Sequence, residues 1–578
     1  MTTVRKRVRA TAACFAVAGL LLAGCSGDDG DSGGDASNDG VPSGVVAGSS
    51  VSIFTGQVGD FTAPNFNPFN TTGSFLQPTQ GVIYEALFYY NIARADDPRP
   101  VLGTSFSWND DGTVLTVKVR QGVKFSDGTD MTADDVVFSL NLVSHNEALN
   151  TSGQVWETAK ADAETVTLTF AKPAYTLEPQ ILGKHPVVPQ KLWQDLADPT
   201  EGTNDNPVGT GPYMFDQYQP QAIILKVNPH YWGQGEEAPA IEYVRYISLA
   251  NADAATTALQ QGTTDWQGSF LPTLEQLVAE SNGTLTYSNT PQATTGLFAC
   301  SNAEMGCTGP QTDKAVRQAM YYAMDRTQLN AQAGASFGLP ASPTLLPNFV
   351  NQAEITNPDY FEVPQSADPA KSKSILEAAG WVMGSDGYYA KDGQALEMTL
   401  SDVSGWTDYN TLCELLVGQF KEAGIKLTVN HVAQNAWSQA EVSGQFQLSM
   451  NSVNMGASTN PYFAYNNYVN GAGTRPVGES AVTTNTMRYN NDAVNAAVQV
   501  LAATADPAEL QAQYKIIQDA LVEDLPIIPI YVNSALCEYN TTHATGWPSQ
   551  DNLYAFPLPW GGNWGTGIVL KTIRPVAS

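Results

Sequence analysis

"LTVKVRQGVKFSDGTDMTADDVVFSL", residues 115–140, decides the reading of this chain. Leu115, Val117 and Val119 alternate with Val114, Thr116, Lys118 and Arg120, the two-residue period of a strand with one buried face. A second short strand, Lys124–Phe125, leads into the turn signal Asp127-Gly128. Thr132 then stands as the N-cap of a helix, with Asp135 three residues on as the acid of a capping box. Val136, Val137, Leu140 and Val143 repeat at helical spacing and mark the face toward a core.

Outward from this segment the chain alternates strands and helices. Val51–Thr55 reads as a short strand and "FTAPNFNPFN", 61–70, as a Pro/Asn-rich loop. Asp368-Pro369 places a cap before a proline at the first helical position, and Gly380 stops that helix. Asp506-Pro507 repeats the device, with Leu510, Tyr514, Ile517 and Leu521 on one face. "LEMTL" (396–400), the helical "YNTLCELLVGQFKEAG" (409–424) and "IKLTVNHV" (425–432) form a strand–helix–strand unit, which requires a parallel pair and a right-handed crossover. Ligands of such sheets gather at the carboxyl ends of the strands.

The segment 115–140 resembles the signature of the extracellular solute-binding proteins, family 5, which serve peptide, nickel and oligosaccharide ABC transporters. "NPVGTGPYMF" (206–215), "NPHYWG" (228–233), "TALQQGTTDW" (257–266), "DKAVRQAMYYAMDRTQL" (313–329), "DPAKSKSILEAAGW" (368–381) and "LVEDLPIIPIY" (521–531) follow in that family's order. The resemblance implies an α/β, two-lobed periplasmic-binding-protein-like fold of type II, cluster C, with an extra subdomain in the first lobe. On that pattern lobe I comprises 51–90, 206–297 and 538–578, the extra subdomain 91–205, and lobe II 298–537. It also implies a monomer that captures a solute and delivers it to an ABC permease and its ATPase subunits, without turnover.

The front end carries Arg5, Lys6, Arg7 and Arg9, an apolar run from Ala10 to Leu22, and Leu22-Ala23-Gly24-Cys25. The run is too short for a spanning helix, and the tetrad resembles a bacterial lipobox. Residues 1–24 are therefore expected to be a lipoprotein signal peptide, with Cys25 lipidated at the outer face of the cytoplasmic membrane. Residues 25–50, rich in Gly, Ser, Asp and Asn, are expected to be a flexible tether. The GDSGG around Ser32, familiar from serine proteases, falls in this tether, where no packed shell could hold a base.

The whole chain of 578 residues carries a net charge of −29, and loss of four cations with the leader would take it to −33. Such a surface repels nucleic acid and anionic headgroups. Of six cysteines, Cys14 leaves with the leader and Cys25 takes the lipid. Two disulfides are expected among the remaining four, with three possible connectivities. A short local loop favours Cys300–Cys307, with Cys413–Cys537 closing a long one. No C-x-x-C or H-E-x-x-H occurs and the five histidines are scattered, so neither a metal nor a cofactor is expected.

Two loops leave strands of the second lobe: "SDVSGWTDYN" (401–410) and "NSVNMGASTNPYFAYNNY" (451–468), the latter after the strand "FQLSM" (446–450). Family members place ligand contacts in these loops, which makes Trp406, Asp408, Asn454 and Asn460 the leading candidates. Phe66, Asn67, Phe69 and Trp266 are candidates from the first lobe, with Trp437, Trp560 and Trp564 behind them. Loop asparagines also close Asx turns, and buried tryptophans are usually core.

Many peptide-binding relatives carry an acid in the second loop, opposite the peptide's α-ammonium. This chain has none from Asn451 to Tyr462, so Asp402 or Asp408 must supply the charge, or the ligand is a neutral oligosaccharide stacked on indoles. A serine hydrolase is the rival class. Gly334-Ala335-Ser336-Phe337-Gly338 fits G-x-S-x-G, but a helical stretch precedes Ser336 and Pro340 follows it.

Overall fold

The computed structural model describes residues 46–61, 64–70, 76–347, 355–560 and 564–576. The leader, Cys25, Ser32 and most of the expected tether lie outside the described residues. The first strand, Val46–Val58, is longer than Val51–Thr55 and takes up the last residues assigned to the tether.

The opening segment forms as its pattern dictates. Val114–Val119 is a strand with Leu115, Val117 and Val119 buried. It pairs antiparallel within a four-stranded sheet ordered Gly103–Trp108, Val114–Val119, Thr165–Phe170, Trp156–Lys160. The helix Ala133–Ser144 buries Val136, Leu140 and Val143, while Val137 is only half-buried. Its N-terminus is held by Asp135, whose carboxylate accepts from the Thr132 N–H at 2.8 Å. Lys124–Phe125 is not a strand. A single bridge, Lys124 to Asp130, closes the turn around Gly128, because so short a hairpin has no room for a ladder.

Among the described residues the principal sheet has eleven strands. From one edge the order is Lys426–Val432, Glu397–Val403, Leu448–Asn454, Leu285–Ala299, Ile527–Asn540, Trp266–Gln267, Val46–Val58, Ile241–Leu249, Ala222–Val227 and Tyr213–Gln219, with Leu339–Pro340 added on Ile527–Asn540. Two strands run through both halves. Leu285–Ala299 and Ile527–Asn540 pair antiparallel from Leu285/Asn540 to Phe298/Ile527. At one end Leu448–Asn454 joins them, and at the other Trp266–Gln267. The register shifts at Pro291/Ala293, just before the stretch paired with Leu448–Asn454, and again within that stretch at Thr295/Gly296. Such bulges bend and twist a ladder locally.

The strand–helix–strand unit is present as Glu397–Val403, Thr407–Glu422 and Lys426–Val432, with its strands parallel. Leu412, Leu416 and Phe420 of the helix pack on Met398, Leu400 and Met450 in one core. A larger core joins the four-stranded sheet and the first half of the principal sheet to the helices Asp492–Ala503 and Pro507–Asp524. The Thr176 hydroxyl reaches across to the Leu501 carbonyl at 2.6 Å in a buried contact at this core.

Cys300 and Cys307 form a disulfide. The expected Cys413–Cys537 bridge does not form: both are free and buried. Cys413 lies on the helix of the strand–helix–strand unit in one core and Cys537 on a long strand in the other. Two cysteines in separate cores do not meet the close Cα spacing that a disulfide demands.

Candidate functional site

Three strands end side by side in the second half of the sheet. Glu397–Val403, Lys426–Val432 and Leu448–Asn454 run in one direction, so their carboxyl ends share an edge. The connections leaving that edge carry the aromatic residues. The loop after Glu397–Val403 is reduced to Ser404–Trp406 by the helix that begins at Thr407. Gly405 makes the turn at φ +97°, a left-handed conformation that a side chain would strain. Trp406 follows, half-buried, and meets two rings edge-on: Tyr409 at 5.7 Å and Trp437 at 5.3 Å between centroids. Trp437 arrives from the next connection, on the helix Gln434–Ser443 after Lys426–Val432, and its indole N–H donates to Ser449 Oγ at 2.9 Å.

Polar groups ring this indole pair. The Tyr409 hydroxyl lies 2.5 Å from Ser452 Oγ and 3.1 Å from Thr295 Oγ1, tying the helix to the strand Leu448–Asn454 and to the bulged long strand. Asp408 lies in the first turn of the same helix, where the N-terminal dipole favours an anion. Burial nevertheless raises its pKa, against backbone N–H groups of Asp408 and Tyr409 that pull it down. Glu441, one turn beyond Trp437, is buried and its carboxyl is pushed up to about 7 by desolvation, which bonds from Ser449 and Asn451 only partly offset. Asn451 Nδ2 donates to one Glu441 oxygen at 2.7 Å, and the other oxygen has no partner. Among the described residues neither Asp408 nor Glu441 has a cationic partner. The site is thus aromatic and acidic.

The other candidates divide sharply. Asp402 is sealed and bonded to His431 and Asn410, so it is not free to meet a ligand charge. Asn460 caps the helix Pro461–Tyr468, its side chain accepting from the Tyr462 N–H at 2.9 Å, which is the Asx-turn role. Asn454 is exposed at the end of its strand beside Tyr468. Most of the expected loop 451–468 is regular structure, because the strand continues to Asn454 and a helix covers Pro461–Tyr468, leaving 455–460 as the connection.

The first-lobe candidates are core. Phe66 is fully buried against Phe215, and Phe69 packs edge-on to Trp193. Asn67 Nδ2 donates to the carbonyls of Pro199, Glu201 and Gly202, and its oxygen accepts from the Phe69 N–H. Trp266 is fully buried beside Trp547, with its N–H on the Pro557 carbonyl. Trp564 is buried in the same core, and Trp560 is held by the Gly268 carbonyl.

Tyr409, Ser452, Thr295 and Glu441 went unread in the sequence. Tyr409 adjoins Asp408, and one helical turn separates Trp437 from Glu441; only the fold brings Ser452 and Thr295 to them. Among the described residues no group of three or more His, Cys, Asp or Glu could hold a metal ion, and no helix is long and apolar enough to cross a membrane. Ser336 sits between the helix Arg326–Gln332 and the strand Leu339–Pro340, the reverse of the strand-then-helix order of a nucleophile elbow.

A sequence profile described as "Bacterial extracellular solute-binding proteins, family 5 Middle" matches residues 97–475, more than half of the chain. The chain belongs to this family. As a member it is a solute-binding protein of the kind that works with an ABC importer outside the cytoplasm, and such proteins bind rather than transform their ligands. The glutathione-binding protein GsiB of Escherichia coli (strain K12) is 25% identical over 508 residues, covering 85% of this chain and 91% of that protein. The periplasmic oligopeptide-binding protein of a Thermotoga maritima ABC transporter superposes with a TM-score of 0.82 at 23% identity, over 91% of this chain and 99% of that one. A mannohexaose-bound structure of the Thermotoga maritima protein gives 0.77 at 23% identity, with 92% and 99% covered. The oligopeptide-binding protein AppA of Bacillus subtilis, in complex with a nonapeptide, gives 0.69 at 21% identity, with 91% and 99% covered. These structures share the two-lobed fold.

Proposed function

We propose that this solute-binding protein captures a peptide between its lobes, at the edge formed by Trp406 and Trp437, and hands it to a membrane permease driven by ATPase subunits. One observation carries the peptide reading: two acids close in the chain to the indole pair, Asp408 two residues after Trp406 and Glu441 one helical turn after Trp437, have no cationic partner among the described residues. A buried carboxylate without a counter-charge is costly, and a ligand ammonium relieves that cost. Asp408 is the group assigned to the peptide's α-ammonium, and Trp406 and Trp437 cover its first side chain. Closure follows where the ligand touches both halves, since only contacts absent from the open state shift the equilibrium.

A neutral oligosaccharide is the second reading. It is favoured by the absence of an acid from Asn451 to Tyr462 and by half-exposed indoles ringed with hydroxyls and amides. Native mass spectrometry of the protein as purified, followed by calorimetric titration with glutathione, trialanine and mannohexaose, separates the two. Heat from trialanine or glutathione, lost on N-acetylation of the peptide, supports the first reading. Heat from mannohexaose alone replaces it with the second.

The lipid anchor on Cys25 belongs to the same proposal. A lipobox-like tetrad followed by a tether suits a monomer held at the outer face of the membrane, within reach of its permease. Cys25→Ser should move the protein from the membrane fraction to the medium or periplasm; retention in the membrane would refute anchoring.

A further inference from the structure

Beside the indole pair lies a buried ionic network that the ligand reading does not use. Asp402 and His431 stand directly opposite each other on adjacent parallel strands. The Asp402 side chain is fully buried, whereas His431 remains about one-third exposed. Asp402 Oδ1 lies 2.5 Å from His431 Nδ1. Its second oxygen accepts from Asn410 Nδ2 at 2.5 Å. The buried Cys413 thiol also faces this carboxylate, and burial together with Asp402 holds it protonated. His431 Nε2 reaches Glu414 Oε1 at 3.2 Å. Asp402 from its strand and Glu414 from the helix are thus the charged groups facing His431, and Asn410 Nδ2 lies 3.2 Å from its Nδ1.

Asn410 turns this network toward the site. Its amide nitrogen also donates to the Val403 carbonyl at 2.9 Å, and its oxygen accepts from the Gly405 N–H at 3.1 Å. Its own N–H donates to the Trp406 carbonyl at 2.7 Å. One side chain therefore grips Val403, Gly405 and Asp402 together, and its backbone grips Trp406. The Ser404–Trp406 turn contains the left-handed Gly405 and presents Trp406 half-exposed. These bonds act together with the Ser404 N–H on the Val432 carbonyl, the Trp406 N–H on the Val403 carbonyl and the packing of Trp406 against the core behind it.

We propose that Asp402, His431 and Asn410 are positioning residues for ligand capture: protonated His431 balances the buried Asp402 carboxylate, which orients Asn410, which in turn fixes Trp406 against Trp437. The inference rests on the reading of Trp406 as a ligand contact. Burial alone would lower the pKa of His431, but the bonds and charges of Asp402 and Glu414 outweigh it and raise it. A histidine whose folded pKa is raised contributes stability fully below its unfolded value and loses it as pH rises through the folded one. The turn is therefore tightest in mildly acidic solution and slackens above the ordinary histidine range.

The test uses the full mature protein labelled with 5-fluorotryptophan, with the Trp406 resonance assigned by Trp406→Phe. Every protein compared, the reference included, carries Glu441→Gln, because the Glu441 carboxyl, pushed up to about 7, would titrate near Trp437 in the same range. Between about pH 5.5 and about pH 8.5, a window spanning the histidine range, the ligand-free Trp406 resonance should titrate in the reference protein. It should stay flat on adding His431→Gln or Asp402→Asn. Affinity for trialanine should fall on the order of threefold over the same window in the reference protein and stay level with His431→Gln. His431→Gln, on a partly exposed side chain, keeps the test open should Asp402→Asn fail to fold. A reference resonance that does not move, or one that still moves with His431→Gln, overturns the proposal. If trialanine gives no binding at any pH, the peptide reading fails, and the fluorine titration of the free protein still decides this inference.

Discussion

The molecule sets two groups of aromatic and amide residues on the two sides of its long strand pair, and they have opposite fates. Phe66, Asn67, Phe69 and Trp266 are sealed: every ring meets another ring of the core, and the Asn67 amide is spent on four backbone groups. Trp406 and Trp437 meet each other edge-on at 5.3 Å and stay half-buried, and the acids nearest them on their helices, Asp408 and Glu441, have no cationic partner among the described residues. Residue type does not separate the groups. What separates them is whether the fold satisfies the side chain by itself or leaves a surface and a charge that something else must complete.

The contrast breaks most visibly at the tryptophans. Trp266→Ala should destabilise the protein by about 3–5 kcal/mol, the usual cost of removing a large buried ring. Chemical denaturation should show it, while the folded fraction binds as before. Trp406→Ala should do the reverse: a loss of affinity of roughly thirtyfold, the scale of an interface hot spot, with the unfolding midpoint nearly unchanged. Equal losses of stability in both variants would put Trp406 in the core.

Asp408→Asn sharpens the comparison through charge. It should weaken a peptide with a free α-amino group by about tenfold, leave an N-acetylated peptide unaffected, and leave stability unchanged or slightly raised, because burial already opposes the charge. Asn67→Ala should cost about 1–3 kcal/mol of stability through the carbonyls and N–H it strands, with no change in affinity. The smallest effect is expected at Asn460→Ala, about 1 kcal/mol for a lost helix cap, again without change in binding by calorimetry.

Much of the fold was legible because local signals and packing agree. The period-2 pattern at 115–119 and the Asp-Pro starts at 368 and 506 each specify an element from a few residues, and the structure shows all three. The strand–helix–strand at 396–432 was readable for the same reason, and with it the carboxyl-end rule that points to Trp406. The loop at 451–468 was misread because Ser, Asn and Tyr alternate there without a strong apolar period, while pairing with the long strand Leu285–Ala299 extends the strand to Asn454. Asp402–His431 and Glu441 were hidden because partners about thirty or ten residues apart meet only through parallel register or across the sheet. The Cys413–Cys537 pairing failed on the same kind of fact, since counting cysteines does not say which core each one enters.

Fluorine spectra of the 5-fluorotryptophan protein, with all eleven tryptophans assigned, test the central claim most directly. On saturation with the bound solute identified by native mass spectrometry, the Trp406 and Trp437 resonances should shift most, while Trp266 and Trp564 stay where they are. Large shifts at Trp266 or Trp564 with Trp406 and Trp437 unmoved would contradict the assignment of the site.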